Sequence, residues 1–425
     1  MQSLKRLGNP LSAAHFLFLL VADKRVPWLA RGVVLVALIY TVGPIDLIPD
    51  TIPIVGFADD IAVVLAALFI ARMLTPDEII ASHPVFSPVV SVPLLPEAWV
   101  LADDRMGNTN QSLGVAERLD LPLSVKRLRY DSLISLPNVL RGRSLIGLDA
   151  GSIEALRSPW PSVVVAAGRR SAPVARYVKM MSEGRTKIIQ LMDPDAGHGD
   201  FDLIVLPRHD RDRRNEARVV RTTGAVNRVT PRRLQEEGDA WRSEFAELPR
   251  PWVALLVGGD TRAFAFSDEM ATELGENVSA AVADLGGSLL VTTSRRTRPK
   301  TAEALLNAVR VPRFVHLWAP ESESPFFAFL ALCDQVVVTG DSVSMCTEAC
   351  TSGKPVYIFA PSEMNSQKHQ RLVSILFDED FARPFDGHLS TGWSVRALNS
   401  TDVVASAAAD VLGLTTLPAD NRPSA

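Results

Sequence analysis

The pattern of hydrophobic and polar positions changes near residue 80. Before it, apolar residues come in long runs, at 11–22, at 26–45 with only Arg31 interrupting, and at 61–74. Such runs predict helices that are apolar around most of their circumference, lying on or in a membrane surface. A spanning helix needs about 20 consecutive apolar residues. The second run barely reaches that length, and the third is short unless it starts before Asp59-Asp60. Lys5 and Arg6 precede the first run as in a signal peptide, but no small-residue cleavage site follows and the run meets Asp23-Lys24-Arg25. A retained helical module is therefore expected.

Pro84, Pro88, Pro93 and Pro96 then stiffen 83–97 into a linker. Beyond it, short apolar runs alternate with amphipathic stretches, the signature of parallel α/β sheets. Strands are expected at 99–102, 125–128, 163–167, 187–192, 203–206 and 218–221, with helices at 111–119 and 173–182. Leu248-Pro249-Arg250-Pro251 makes a second break. After it, strands are expected at 252–257, 288–292, 314–318, 335–338 and 356–359. The accompanying helices are 267–285, 300–309, 325–332, 343–352, 366–377 and 401–412. The expected organisation is an all-α apolar module (1–82), a linker (83–97), two Rossmann-like domains (98–248 and 249–415) and a tail (416–425). Two such halves make a glycosyltransferase-B arrangement, with ligands outside the carboxyl ends of the strands.

Composition sharpens this picture. A chain of 425 residues exceeds what one core usually organises, and 47% apolar with 22% charged residues excludes a disordered or fibrous chain. The mean hydropathy of +0.14 is high for a multidomain enzyme, and the excess sits before residue 80. Three cysteines make neither a disulfide framework nor a zinc pattern. The net charge of −4 excludes a generic polyanion binder, yet nine arginines between 208 and 233 face only Asp210, Asp212 and Glu216. No aromatic interleaving accompanies them, so nucleic acid is not expected. A solvated face or an anionic lipid surface fits better.

The candidate chemistry lies at the strand ends. Gly258-Gly259-Asp260 follows one strand, where paired glycines permit close approach of a ligand or simply a tight turn. Ser294, Arg295 and Arg296 follow the next, and guanidinium forks suit a diphosphate, though a solvated loop looks the same. Thr339-Gly340-Asp341-Ser342 turns into a helix whose amides, with Ser342 and Ser344, suit phosphate. Glu348 lies one turn on, on the same face as Ser344, placed to accept from ribose hydroxyls. In the first half, Gly107, Asn110 and Gln111 follow one strand and Gly168, Arg169, Arg170 and Ser171 another. His209 beside Asp210 is the candidate general base. Asp193-Pro194-Asp195 has metal-ligand spacing but flanks a proline turn, so no metal is expected there; Asp46, Asp50, Asp59 and Asp60 are more readily helix caps than ligands.

Two resemblances follow from these residues. The stretch from Asp23 through Pro44-Ile45-Asp46-Leu47-Ile48-Pro49-Asp50 to Glu78 resembles the small YkvA-like family, which has no settled activity. The chain from about Trp99 to Phe359 resembles the ELM-type mitochondrial-fission family. That resemblance rests on Gly107-x-x-Asn110-Gln111, Ala167-Gly168-Arg169-Arg170-Ser171-Ala172-Pro173, His209-Asp210, Gly258-Gly259-Asp260, Thr293-Ser294-Arg295-Arg296-Thr297, and Thr339 through Met345 with Glu348-Ala349. The second resemblance implies a glycosyltransferase-B fold and a nucleotide-sugar co-substrate without a further cofactor. Gly258, Gly259, Ser294, Arg295, Arg296, Thr339, Gly340, Asp341, Ser342, Ser344 and Glu348 would then hold the donor. The first-half set would line the acceptor side, with a membrane lipid or lipid-linked glycan as acceptor at the cytoplasmic face of the inner membrane. A non-catalytic fission-type adaptor and a nucleotide-sugar epimerase of the same fold are the alternatives.

Overall fold

The computed structural model describes residues 21–42, parts of 63–79, and 94–414 except 211–217, 321, 364–365, 391 and 394. Asp46, Asp50, Asp59 and Asp60, the linker up to residue 93, and the tail lie outside the described residues.

In chain order the described elements begin with α1 (Trp28–Val42), β1 (Leu94–Ala102), α2 (Met106–Ala116), β2 (Leu123–Arg127), α3 (Asn138–Arg141) and α4 (Ala150–Ala155). Next come β3 (Trp160–Ala167), α5 (Gly168–Met181), β4 (Lys187–Leu191), β5 (Leu203–Pro207), β6 (Val219–Thr222) and α6 (Pro231–Trp241). The second half has β7 (Trp252–Val257), α7 (Asp268–Asp284), β8 (Ser288–Thr293), α8 (Pro299–Ala308), β9 (Arg313–His316) and α9 (Phe326–Leu332). It continues with β10 (Gln335–Thr339), α10 (Val343–Thr351), β11 (Val356–Phe359), α11 (Gln367–Asp378), β12 (Arg383–Pro384) and α12 (Ser400–Leu412).

The chain divides into two compact units, one of residues 1–95, 129–162 and 173–186, the other of 96–128, 163–172 and 187–425. In the first, Ala30 and Val34 of α1 pack with Val26, just before it, and Ala71, and leave Trp28, Leu29, Val36 and Ile39 exposed. Among the described residues no helix is long and apolar enough to cross a membrane.

The second unit holds most of two six-stranded sheets, ordered β2-β1-β3-β4-β5-β6 and β12-β11-β10-β7-β8-β9. Their ladders are parallel, with Val100 opposite Val125, Val165 opposite Ile189, and Leu256 opposite both Thr292 and Val338. Helices cover both faces of such sheets, which is why strands such as Trp252–Val257 bury every residue and read as unbroken apolar runs. Strand order reverses between β1 and β3 in one sheet and between β7 and β10 in the other. Chain leaving those pairs opens a crevice at the carboxyl edge.

Several boundaries differ from the sequence reading. β1 begins at Leu94, inside the expected linker, because Leu94 and Leu95 extend the apolar strand past Pro96. Residues 106–110 and 168–172, expected as loops, begin α2 and α5, and Pro173, expected to open a helix, lies inside α5. α6 was hidden in the arginine-rich stretch, although Thr230-Pro231 is a start signal: the Thr230 hydroxyl accepts from the Arg233 amide at 3.0 Å.

α12, within the expected 249–415 domain, returns to the first sheet. Val404 and Ala408 pack with Val100, Val165, Ile189 and Val205. Around it a polar knot ties the halves together. Arg118, almost wholly buried, donates to Asp402 at 2.6 Å and to the carbonyls of Gly114, Asn227 and Val229. Asn227 in turn donates from its amide to Thr401 and from its side chain to Thr351 of α10, both at 2.9 Å.

Gly114 lets α2 approach this knot, for a Cβ there would collide with the Asn227 carbonyl, whereas one at Gly107 meets open space. Gly114→Ala should therefore lower stability by about 1–3 kcal/mol in chemical denaturation. Gly107→Ala, one exposed helical glycine away, should be neutral or stabilising by up to about 1 kcal/mol. Equal effects at the two positions would refute the close approach.

Candidate functional site

At the β7/β10 reversal, the paired glycines are required by the chain's own side chains. The Gly258 amide donates to Thr339 Oγ1 at 2.7 Å and the Gly259 amide to Asp341 Oδ2 at 2.8 Å. A Cβ on Gly258 would overlap the Asp341 carboxylate, and one on Gly259 the Arg296 carbonyl. Neither glycine has a positive φ. The space expected for a ligand is thus filled by Asp341 and the Arg296 turn.

Arg296 completes this frame. Its guanidinium lies 2.9 Å from Asp341 Oδ2 and donates to the Gly259 and Asp260 carbonyls at 3.0 Å each. Ser294 closes the same loop, its hydroxyl accepting from the Arg296 amide at 3.2 Å and its amide donating to Thr297 Oγ1 at 3.0 Å. Arg298 is held by Asp260 at 3.1 Å. Arg295, also exposed, is the one of the three arginines with no side-chain partner among the described residues.

β10 runs into α10 through Gly340, whose amide donates to the Phe359 carbonyl at 2.9 Å, and Ser342, which caps the helix by accepting from the Met345 amide. Ser344 and Glu348 lie one turn apart, half-buried, with no side-chain hydrogen bond among the described residues. Burial pushes the Glu348 carboxyl up to about 8 against the opposing pull of Arg233. Arg233 stacks on the Phe327 ring at 4.3 Å and reaches Glu237 at 3.7 Å.

The end of β5 meets α11. His209 is 1% exposed, its Nδ1 has no hydrogen-bond partner, and Asp210 stands 4.0 Å from its Nε2. That separation is no hydrogen bond, so the expected His209-Asp210 pair is not a dyad. Asp210 instead pairs with Lys368 at 2.8 Å, and Arg371 donates to the His209 carbonyl at 2.8 Å. Burial first, then Lys368, pushes the imidazole down to about 4, leaving it neutral at physiological pH. His369, within electrostatic reach of Asp341 and Arg296, is likewise lowered by burial. Asp341 Oδ1 and His369 Nδ1 are buried without partners.

At the β1/β3 reversal, Gly107 is exposed at the start of α2, and Asn110 and Gln111 are half-buried without side-chain partners among the described residues. Gly168 opens α5 at φ +74° and its carbonyl accepts from Gln190 at 3.1 Å. Arg170 pairs with Asp104 at 2.7 Å and Arg169 lies 4.0 Å from Asp195. Ser171 is buried and donates to the Ala167 carbonyl at 2.9 Å, which makes it a helix-turn residue rather than a ligand contact. Sequence reading placed Asp103 at this strand end without a role; it accepts from the Arg105 amide and from Asn108 Nδ2, the latter at 2.8 Å. The same reading passed over Lys368, His369 and Arg371. Only the position of Asp103 directly after a strand signalled its role.

Two doubly wound parallel sheets with polar strand ends at both reversals define an α/β protein of two Rossmann-like halves. The chain belongs to the mitochondrial fission ELM1 family, whose model matches residues 106–412. A second model, a protein of unknown function (DUF1232), matches residues 30–66. The uncharacterized protein RP120 of Rickettsia prowazekii is 26% identical over 72% of this chain and 96% of its own length. The mitochondrial fission protein ELM1 of Arabidopsis thaliana is 28% identical over 57% of this chain, and the match spans 61% of the plant protein. Among solved structures, the Methanocaldococcus jannaschii UDP-GlcNAc 2-epimerase in complex with UDP-GlcNAc and UDP is 13% identical. It covers 75% of this chain and 99% of its own, with a TM-score of 0.41.

Glu348 keeps its proton in the folded protein to about pH 8, whereas an unfolded chain releases it near the ordinary glutamate value. The folded state binds more protons between those values, so this group's contribution to stability is lost as pH rises through that window. Glu348→Gln should leave the melting midpoint nearly unchanged near pH 5 and raise stability near pH 8.5 by up to several kcal/mol, at about 1.4 kcal/mol for each pH unit between the two values. The same difference at both pH values would contradict the buried, protonated carboxyl. Asp341→Ala, which strands Arg296 and the Gly259 amide, should cost about 3 kcal/mol in denaturant titration.

Proposed function

We propose that this protein transfers a sugar from a nucleotide-sugar donor to a lipid-linked or envelope-glycan acceptor at the cytosolic face of a membrane. One observation carries the reading. At the β7/β10 reversal, Arg296, Asp341, Ser342 and Ser294 are engaged in internal bonds, while Arg295, Ser344 and Glu348 make no side-chain hydrogen bond among the described residues, Glu348 feeling only the field of Arg233. A hydrogen-bonded frame around three polar groups without hydrogen bonds of their own is pre-organised for a ligand.

Arg295 and the amide end of α10 neutralise the diphosphate and the charge that develops on it as the sugar leaves. Ser344 donates to a phosphate oxygen. Glu348, protonated at neutral pH, both donates to and accepts from a vicinal diol such as that of a ribose. On the acceptor side Asn110 and Gln111 orient a hydroxyl. His209 holds a neutral imidazole whose buried Nδ1 has no partner. Its depressed basicity makes it an acceptor of a hydrogen bond before it is an acceptor of a proton. The apolar face of α1 attaches the chain to the lipid surface.

A second reading, the non-catalytic adaptor, is favoured by the membership of the fission family and by the internal use of so many motif residues. Ligand-dependent stability separates the two. Nucleoside diphosphates or nucleotide sugars should raise the melting midpoint, by the equivalent of about 2.7 kcal/mol at a ligand concentration 100 times Kd. Arg295→Ala should remove the shift without changing the stability of the free protein. If no nucleotide at millimolar concentration stabilises the chain, the transferase reading fails and the adaptor stands.

A further inference from the structure

The segment between β2 and β3 reverses the usual order of burial. Val139 and Leu140, in the single turn of α3, are 78% and 63% exposed, and Leu133 is 48% exposed. Arg141, next in sequence, is 0% exposed. A charged side chain is almost never wholly buried unless it is bonded there, and two adjacent large aliphatic residues seldom both face water.

The loop is held in this inverted state by hydrogen bonds. Arg141 Nε donates to the Ile146 carbonyl at 3.1 Å and Nη1 to Asn138 Oδ1 at 3.3 Å. Ser144 donates to the Arg141 carbonyl at 2.6 Å, and Arg176 of α5 donates to the Gly142 carbonyl at 2.9 Å. The Asp131 amide closes the base of the loop on the Gly147 carbonyl at 3.0 Å. A four-residue helix has no stability of its own. The buried guanidinium therefore displays the aliphatic pair on a rigid support.

Charge selects the occupant. With Arg141 buried, the cations left between 126 and 145 are Lys126, Arg127, Arg129 and Arg143 against one acid, Asp131, and Arg129 and Arg143 are exposed in the same segment as the aliphatic residues. Aliphatic side chains rimmed by guanidinium groups match an anionic lipid surface, whose headgroups attract the rim while the acyl boundary receives the apolar tips. We propose that Leu133, Val139 and Leu140 insert into an anionic bilayer as a membrane contact separate from the N-terminal module. This goes beyond the membrane attachment assigned above to α1, because it brings the first Rossmann half itself to the lipid surface.

The test places a reporter on the loop of the full-length chain. The native cysteines are all buried, with burial raising Cys333 and Cys350 to about 12 and Cys346 well above its ordinary value, so a thiol-directed, polarity-sensitive dye on Val139→Cys labels that position selectively. With vesicles of phosphatidylcholine and phosphatidylglycerol, dye emission should shift to the blue, and more weakly with phosphatidylcholine alone. Val139→Ser combined with Leu140→Ser, both at exposed positions, should weaken vesicle partition by about tenfold or more. Co-flotation of the protein with an unchanged dye spectrum overturns this contact while leaving attachment through α1 intact. A blue spectrum in dilute protein without vesicles overturns it in favour of a cover from this chain's own segments. A shift that needs only higher protein concentration overturns it in favour of a second copy. Absence of co-flotation overturns both membrane contacts and leaves the nucleotide-binding test untouched.

Discussion

Asp341 carries a carboxyl group wholly withdrawn from solvent, and the carboxyl edge of the second sheet is built around it. Taking such a group out of water costs several kcal/mol unless cations and amides replace the lost hydration. Here Arg296 and the Gly259 amide do so at 2.9 and 2.8 Å. The rest of the edge follows from that contact. The two glycines must lack side chains because the carboxylate and the Arg296 turn occupy their flanks. Ser294 and Thr297 must fold the loop so that Arg296 points back. What is left over, namely Arg295, Ser344 and Glu348, is small in number and fixed in position, which suits selection of a ligand better than a flexible basic loop would.

The halves are joined by the same economy. Gly224, at φ +76°, brings its turn against Thr347 of α10, and the Ala225 amide donates to that hydroxyl at 3.3 Å. Asn227, Arg118 and Thr401 finish the junction a few residues on. α10 therefore presents its N-terminal turn toward the candidate site while its middle and last turn anchor the connection between the sheets. Anything bound at Ser344 and Glu348 pushes on a helix whose other end is part of the joint.

Much of the fold was legible because parallel strands buried on both faces leave unbroken apolar runs, as in 252–257 and 163–167. Helix starts were misplaced where a motif looked like a loop: Gly107 and Gly168 read as turn residues, yet both lie in first helical turns. Motif residues at the strand ends were found, but not whether they were free. Arg295 and Arg296 are adjacent and chemically identical, and only the partner 45 positions away, Asp341, separates a structural arginine from an available one. The neutral state of His209 was equally hidden, since it depends on Lys368 and on burial against α11. Asn227, Arg118 and α12 could not be assigned from local pattern because each acts through residues distant in sequence.

The return of α12 to the first sheet has a bearing on how the protein is made. Val404 and Ala408 complete a core that otherwise consists of residues from 98 to 226. A nascent chain therefore emerges from the ribosome with its first Rossmann half open along one strip until α12 is synthesised. Until then that half can be no more than a partly closed intermediate. Loss of α12 by premature termination would strike the half far upstream in sequence, leaving the half next to it in sequence closer to native than the distant one.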